Sequence, residues 1–494
     1  MEEFKPIRNP EIKYTQLFIN NEFVNSVSGN PSPTLNPRYG EKLLRADVDL
    51  AVQAAQAAFA LGSPYRQLDA SARGRLLSKI ADLLERDVNY IASLETLDNG
   101  KTFAPHGSIG DVLFSASVFR YYAGWTDKIC GRTIPVDGSY FSYTRHEPVG
   151  VCGQIIPWNY PIVMATWKIA PAVAAGNVVI LKPAEQTPLT ALYLASLIRE
   201  DIVHLCSGYV RLVTFTGYCA LMFRLCQAGN FYRILCTYVG KLILQASGAS
   251  NIKRTTLELG GKSPCVIFDD VDVDSVAAEA QEICMTNMGQ CCVAGTRTFV
   301  HENIYDAFVA KTRELAQNRK IGDPFDSDTV NGPQIDQEQF NKILGLIESG
   351  KKEGAKVEVG GERHGEQGFF IKPTVFSHVT DDMRIARKKI SVLQIFGPVQ
   401  QILKFKDLDE VLRRANDTQY GLGAYVYTND INRALTFAHG VQAGTVWINS
   451  VNHVAPQAPF GGFKMSGLGR ELGEYGLQNY LEVKNVVVKL DRKY

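Results

Sequence analysis

Four short stretches of the 494-residue chain carry side chains that could do chemistry together. Gly289-Gln290-Cys291-Cys292 follows a helical pattern and precedes a strand-like run, Thr296 to Val300. A cysteine at such a junction can expose its sulfur near helix termini and backbone amides, which favour the reactive thiolate. The plain alternative is a small core hydrophobe, the commoner state of a cysteine. In Thr256-Leu257-Glu258-Leu259-Gly260-Gly261-Lys262-Ser263-Pro264 a glutamate sits between leucines, ahead of paired glycines. A carboxylate on a tight turn in apolar surroundings has its pKa raised by burial, which suits it to activate water. Otherwise Glu258 is a surface loop residue. Pro157-Trp158-Asn159-Tyr160-Pro161 fixes a side-chain amide at the end of a strand, where it can donate to a developing oxyanion or simply cap a helix. Lys182-Pro183-Ala184-Glu185 sets a cation and a carboxylate at the next strand end, suited to the ribose hydroxyls of a nucleotide.

The elements that must hold these groups are legible as alternating strand and helix patterns. Leu76, Leu77, Ile80, Leu83 and Leu84 recur at helical spacing after Asp69 or Ser71, and Gly100 is a natural stop. Val149 to Ile156 reads as a buried strand, Ile162 to Ala175 as a helix closed by Gly176, and Val178 to Leu181 as the next strand. Thr187 and Pro188 then cap and open a helix from Leu189 to Glu200. This order predicts a parallel, doubly wound sheet, because parallel strands need crossover helices, and ligands bind beyond the carboxyl ends of its strands. A second alternation runs from Cys265–Phe268 through a helix from Asp272 to about Asn287, with later strands at Gly423–Tyr427 and Thr445–Ile448. Ser139–Thr144 and Leu481–Leu490 carry strand formers outside both units and could pair with each other or across a subunit boundary. The glycine-rich run Gly467 to Gly473 has the wrong spacing and context for a dinucleotide fingerprint and reads as a loop.

Bulk properties exclude several classes. A net charge of +1 gives no field to recruit nucleic acid or an anionic membrane. The uncharged apolar stretch Leu212 to Phe223 is well short of the roughly 20 residues of a membrane helix. Ten cysteines are too sparse for a disulfide scaffold. The group Cys206, Cys219, Cys226 and Cys236 lacks recognised zinc spacing, so no metal is expected. The first residues show no export signal, and a cytoplasmic protein is expected. One region departs from the rest: the 56 residues Ile202 to Leu257 contain no acid, against 51 Asp and Glu in the whole chain.

In order and combination these stretches resemble the aldehyde dehydrogenase superfamily, most closely the class 1/2 enzymes that oxidise acetaldehyde and retinal. The likeness is carried by LFINNEF, ETLDNGK, SYTRHEPVGVCGQIIPWNYP, LKPAEQTPLTALY, TLELGGKSP, GQCC, AGTVWIN and PFGGFKMSGLGRELGEYGL. It implies an α/β protein with a Rossmann-like NAD-binding domain (1–128 and 149–259), an α/β catalytic domain (260–466) and oligomerisation strands (129–148 and 478–494). It also implies that Cys292 attacks the aldehyde, that Asn159 and the Cys292 N–H hold the oxyanion, and that Glu258 activates water to release the acid. Lys182 and Glu185 match residues that bind the adenosine ribose. Ile156, Trp158, Gly240 and Phe396 fall in matching cofactor segments. A carboxylate beside the ribose repels a 2′-phosphate, so NAD is expected before NADP. A small aldehyde is the implied substrate, and a homodimer or homotetramer the implied assembly.

Three departures accompany the likeness. Residues 201–238 do not match, and the family's glycine-serine phosphate turn falls on or near Leu235 and Cys236. The family's Glu-Ile-Phe-Gly-Pro reads Gln394-Ile395-Phe396-Gly397-Pro398, with Lys389 as the other candidate for the missing carboxylate. Gly40 to Leu44 runs almost directly into a helix, so a strand pair looks shortened. The alternative expectation is therefore a catalytically impaired member with a structural or subunit-binding role, or an esterase using Cys292 and Glu258.

Overall fold

The computed structural model describes residues 4–25, 45–205, 212–214, 229–232, 237–386 and 395–492. Its first sheet has eight strands. Five are parallel, in the order Thr255–Glu258, Gly229–Tyr232, Val151–Ile155, Val178–Lys182 and Leu212–Thr214. Val151–Ile155 and Val178–Lys182 are buried at every residue, as expected of central parallel strands covered on both faces. The helix between them, Pro161–Ala174, is also buried throughout, opens on a proline and is followed by Gly176 at φ +84°. Leu212–Thr214 and Gly229–Tyr232 come from the stretch expected to depart from the family pattern, yet both occupy places within the parallel ladder.

Antiparallel strands finish each side of this sheet. The hairpin Leu17–Ile19 with Glu22–Val24 turns through Asn20 and Asn21 at φ 56° and 65°, the left-handed pair that a two-residue hairpin needs and asparagine tolerates. At the other side Gly467–Leu468 pairs with Glu258 and Leu257. The run from Gly467 is thus not the loop expected from its spacing: it supplies an edge strand, and Gly473 opens the helix Gly473–Gln478. A two-residue strand leaves no alternation in the sequence to read.

The second sheet runs Lys356–Val359, Thr374–Ser377, Val399–Phe405, Arg297–His301, Pro264–Ile267, Gly423–Tyr427 and Thr445–Ile448, parallel except for its first pair. A third sheet joins Leu481–Lys489 to Tyr140–Pro148 over nine residue pairs, with Thr133–Ile134 beyond. The expected first long helix is two, Ala70–Arg86 and Val88–Asn99, joined at Asp87, and Gly100 closes the second at φ +84°. No helix among the described residues is long and apolar enough to cross a membrane.

Candidate active site

The helix Val273–Met285 starts under Asp272, whose carboxylate accepts from the Ser275 N–H at 2.8 Å. It ends sooner than its apolar pattern suggests. The chain then turns left-handed through Asn287 (φ 51°), Met288 (φ 56°) and Gly289 (φ 72°). For the two residues with a Cβ this costs about 1–2 kcal/mol each, so neighbours must hold the turn. Asn287 Nδ2 donates to the Asn159 carbonyl at 2.8 Å, and the Ile335 N–H donates to Gln290 Oε1 at 3.0 Å. A Cβ on Gly289 would stand 2.0 Å from the Gly397 oxygen, so only glycine lets this loop lie against Phe396-Gly397-Pro398. The result is a buried Cys291 and a half-buried Cys292.

Glu258 ends the strand Thr255–Glu258 and is 2% exposed. The turn after it is fixed by Ser466, which is fully buried. The Ser466 carbonyl accepts from the Leu259 N–H at 2.8 Å, its hydroxyl donates to the Gly260 carbonyl at 2.8 Å, and it accepts from the Gly421 N–H at 2.9 Å. A Cβ on Gly261 would lie 2.6 Å from the Cys292 carbonyl oxygen. The glutamate turn and the cysteine loop are therefore in backbone contact. Asn159 is buried, and its Nδ2 donates to the Gln290 carbonyl at 3.0 Å, which ties the amide to the residue two before Cys292.

Electrostatics agree with that proximity. The Cys292 thiol is pushed well above its ordinary value by its hydrogen bond to Cys291, then by burial, then by the charge of Glu258. Cys291 moves the other way: the Cys292 thiol, the Val293 N–H and the Tyr160 hydroxyl bond to its sulfur and outweigh its burial. Behind the glutamate turn, burial and the neighbouring Arg297 lower Lys262 to about 7, and its ammonium donates to the Ile385 carbonyl at 2.6 Å.

The other expected residues lie at the strand ends. Ile156 is buried, and its N–H donates to the Lys182 carbonyl at 3.0 Å. Lys182 Nζ meets Glu185 Oε1 at 2.8 Å, and the Glu185 side chain is 54% exposed. Trp158 stands edge-on to Phe396 with ring centroids 5.3 Å apart. Phe396 is itself left-handed at φ 59°, and Gln339 Nε2 donates to its carbonyl at 3.0 Å. Gly240 lies in the helix Thr237–Gly248, where a Cβ would come within 3.1 Å of Leu259, so its bareness serves packing against the glutamate turn. Leu235, Cys236, Lys389, Gln394, Cys206, Cys219, Cys226 and the Gly40–Leu44 stretch lie outside the described residues.

Sequence reasoning missed Ser466, Gly467, Asn287 and the hydroxyl of Tyr160. Ser466 and Gly467 stand inside a glycine-rich run whose only readable signal was turn chemistry. Asn287 looked like the end of a helix.

Residues 28–486 match the aldehyde dehydrogenase family. The chain is 54% identical to retinal dehydrogenase 2 of Homo sapiens, over 99% of this chain and 94% of that protein. It is 53% identical to aldehyde dehydrogenase 1A1 of Oryctolagus cuniculus, over 99% and 98%. Among solved structures, the NAD+ complex of an aldehyde dehydrogenase from Bacillus cereus superposes with a TM-score of 0.91 at 43% identity, covering 97% of each chain. A mixed α/β protein with this site and these relatives is an enzyme of the aldehyde-oxidising class. The chain belongs to the aldehyde dehydrogenase family.

Proposed function

We propose the following division of labour for the NAD-dependent oxidation of an aldehyde to its carboxylic acid. Cys292 is the nucleophile and attacks the carbonyl carbon. The Asn159 amide, which has a second N–H besides the one given to Gln290, and the Cys292 backbone N–H stabilise the oxyanion of the thiohemiacetal. Loss of hydride leaves a thioester on Cys292, and Glu258 takes a proton from water as it attacks that thioester. The observation that carries this reading is the backbone contact of the Gly261 turn with Cys292, together with the Glu258 charge felt at the Cys292 sulfur.

The residues at the strand ends fit a dinucleotide. Lys182 and the exposed carboxylate of Glu185 suit ribose hydroxyls and oppose a 2′-phosphate, so NAD is preferred over NADP. Ile156, Gly240 and the Trp158–Phe396 pair form the remaining walls. Bound there, NAD supplies the hydride acceptor. Residues 1–128 and 149–259 form the cofactor-binding part, 260–466 the catalytic part, and 129–148 with 478–494 the assembly strands. Val483, Val487 and Val488 on the outermost strand are exposed and support a homodimer or homotetramer. The described cysteines are all unbonded thiols, which fits a reducing, cytosolic setting. Retinal and small aliphatic aldehydes are the proposed substrates, in keeping with the names of the relatives. No observation among the described residues favours the impaired alternative. The test is NADH formation with these aldehydes, which Cys292→Ala must abolish.

A further inference from the structure

The last residue of the helix Val88–Asn99 reaches the loop that carries Asn159, yet has no part in the bond changes of the reaction. We propose that Asn99 is a positioning residue for Asn159: its buried amide holds the Trp158 and Asn159 carbonyls and so aims the amide that meets the oxyanion. The inference rests on the reading of Asn159 as oxyanion donor and deepens it.

The contacts form a closed set. Asn99 is 1% exposed, and its Nδ2 donates to the Trp158 carbonyl at 2.6 Å and to the Asn159 carbonyl at 3.4 Å. Its side-chain oxygen meets no donor among the described residues, so Asn99 serves through its N–H groups alone. Asn287 Nδ2 donates to the same Asn159 carbonyl at 2.8 Å and to the Gln290 carbonyl at 3.3 Å. The Gln290 carbonyl also accepts from Asn159 Nδ2 at 3.0 Å. The backbone of Asn159 is thus fixed by Asn99 and Asn287, and its side chain by Gln290.

The helix end is a firm support. Gly100 turns the chain left-handed at φ +84°, and a Cβ on it would lie 2.9 Å from Pro333 Cγ. A Cβ on Gly332 would lie 2.1 Å from the Gly100 carbonyl oxygen, so Asn99 is set by close backbone packing. The same stretch grips the residues after Asn159. Lys101 Nζ stands 4.2 Å from the Tyr160 ring centroid, and Glu95 Oε1 accepts from the Ile162 N–H at 3.4 Å. An oxyanion donor works because it is aimed before the charge develops, and a misplacement of about 1 Å can cost about a hundredfold.

The test is the rate of the first NADH equivalent after rapid mixing of full-length protein with aldehyde and NAD, with alkylation of the Cys292 peptide by iodoacetamide beside it. Alkylation displaces iodide from a saturated carbon and forms no oxyanion, so it reports on the cysteine without Asn159. Asn99→Ala should slow the first NADH about tenfold, a part of the about 10²–10³ lost with a whole oxyanion donor. It should leave alkylation at the parental rate. Added to Asn159→Ala, it should cost less than about twofold more, because both changes then remove one interaction. Asn99→Leu fills the space with no donor and should behave in the same way; it decides if the alanine variant does not fold. Parental NADH formation in the Asn99 variant, equal slowing of alkylation, or multiplied losses in the double variant would overturn the proposal. A parental first NADH in Asn159→Ala would instead remove the oxyanion assignment on which it rests.

Discussion

Replacing Ser466 with alanine tests whether a residue far from Glu258 in sequence sets its position. The hydroxyl is buried and makes two hydrogen bonds, from the Gly421 N–H at 2.9 Å and to the Gly260 carbonyl at 2.8 Å. Its loss leaves a donor and an acceptor unsatisfied, about 2–4 kcal/mol together. The acceptor belongs to the turn that carries Glu258, whereas Cys292 and Asn159 are held by Gln290, Asn287 and Gly289. If half of the loss appears at the water-activating step, that step slows about 5- to 30-fold. A rapid-mixing experiment with aldehyde and NAD separates the stages. The first equivalent of NADH should form at the parental rate, and later turnovers should slow. An equal slowing of first and later turnovers, or an unchanged kcat, would refute the assignment of Ser466 to Glu258.

Other perturbations follow from the same geometry. Glu258→Gln should retain the first NADH equivalent and lose steady-state turnover, seen in the same mixing experiment; equal loss of both would point to a different base. Glu185→Ala removes a charge–charge repulsion of about 1–3 kcal/mol and should raise the ratio of kcat/KM for NADP over NAD by about tenfold; an unchanged ratio would place the ribose elsewhere. Burial raises the Glu95 carboxyl to about 7 from 4.5, ahead of the lowering effect of Lys101. A folded-state pKa above the unfolded one means stability fully present below 4.5 and lost as pH rises through about 7. Urea midpoints should therefore fall over that window by the equivalent of about 3 kcal/mol, and Glu95→Gln should flatten the dependence. Val487→Lys on the exposed face of the outer strand should shift the protein to a smaller species in sedimentation, with aldehyde oxidation per protomer compared at both sizes.

The strands Gly423–Tyr427 and Thr445–Ile448 were readable to the residue because apolar runs between helical patterns have few other readings. Short punctuated motifs singled out Cys292, Glu258 and Asn159 as candidates, while the roles expected of them came from the family resemblance. Ser466 was not singled out. Its partners are 206 and 45 residues away, and a serine among glycines signals only a turn. The left-handed turn at Asn287 and Met288 was equally hidden, since methionine has no preference for that conformation and only tertiary hydrogen bonds sustain it. The break at Asp87 was masked by apolar spacing that runs on through both helices. Local chemistry was visible, and the contacts that aim it were not.

The covalent acyl bond proposed at the Cys292 sulfur can be caught directly. Glu258→Gln protein mixed with aldehyde and NAD, quenched in acid and digested, should show the acyl mass on the peptide carrying Cys292, in proportion to the NADH formed. NADH formed with that peptide unmodified, or the acyl group on another residue, would contradict the account.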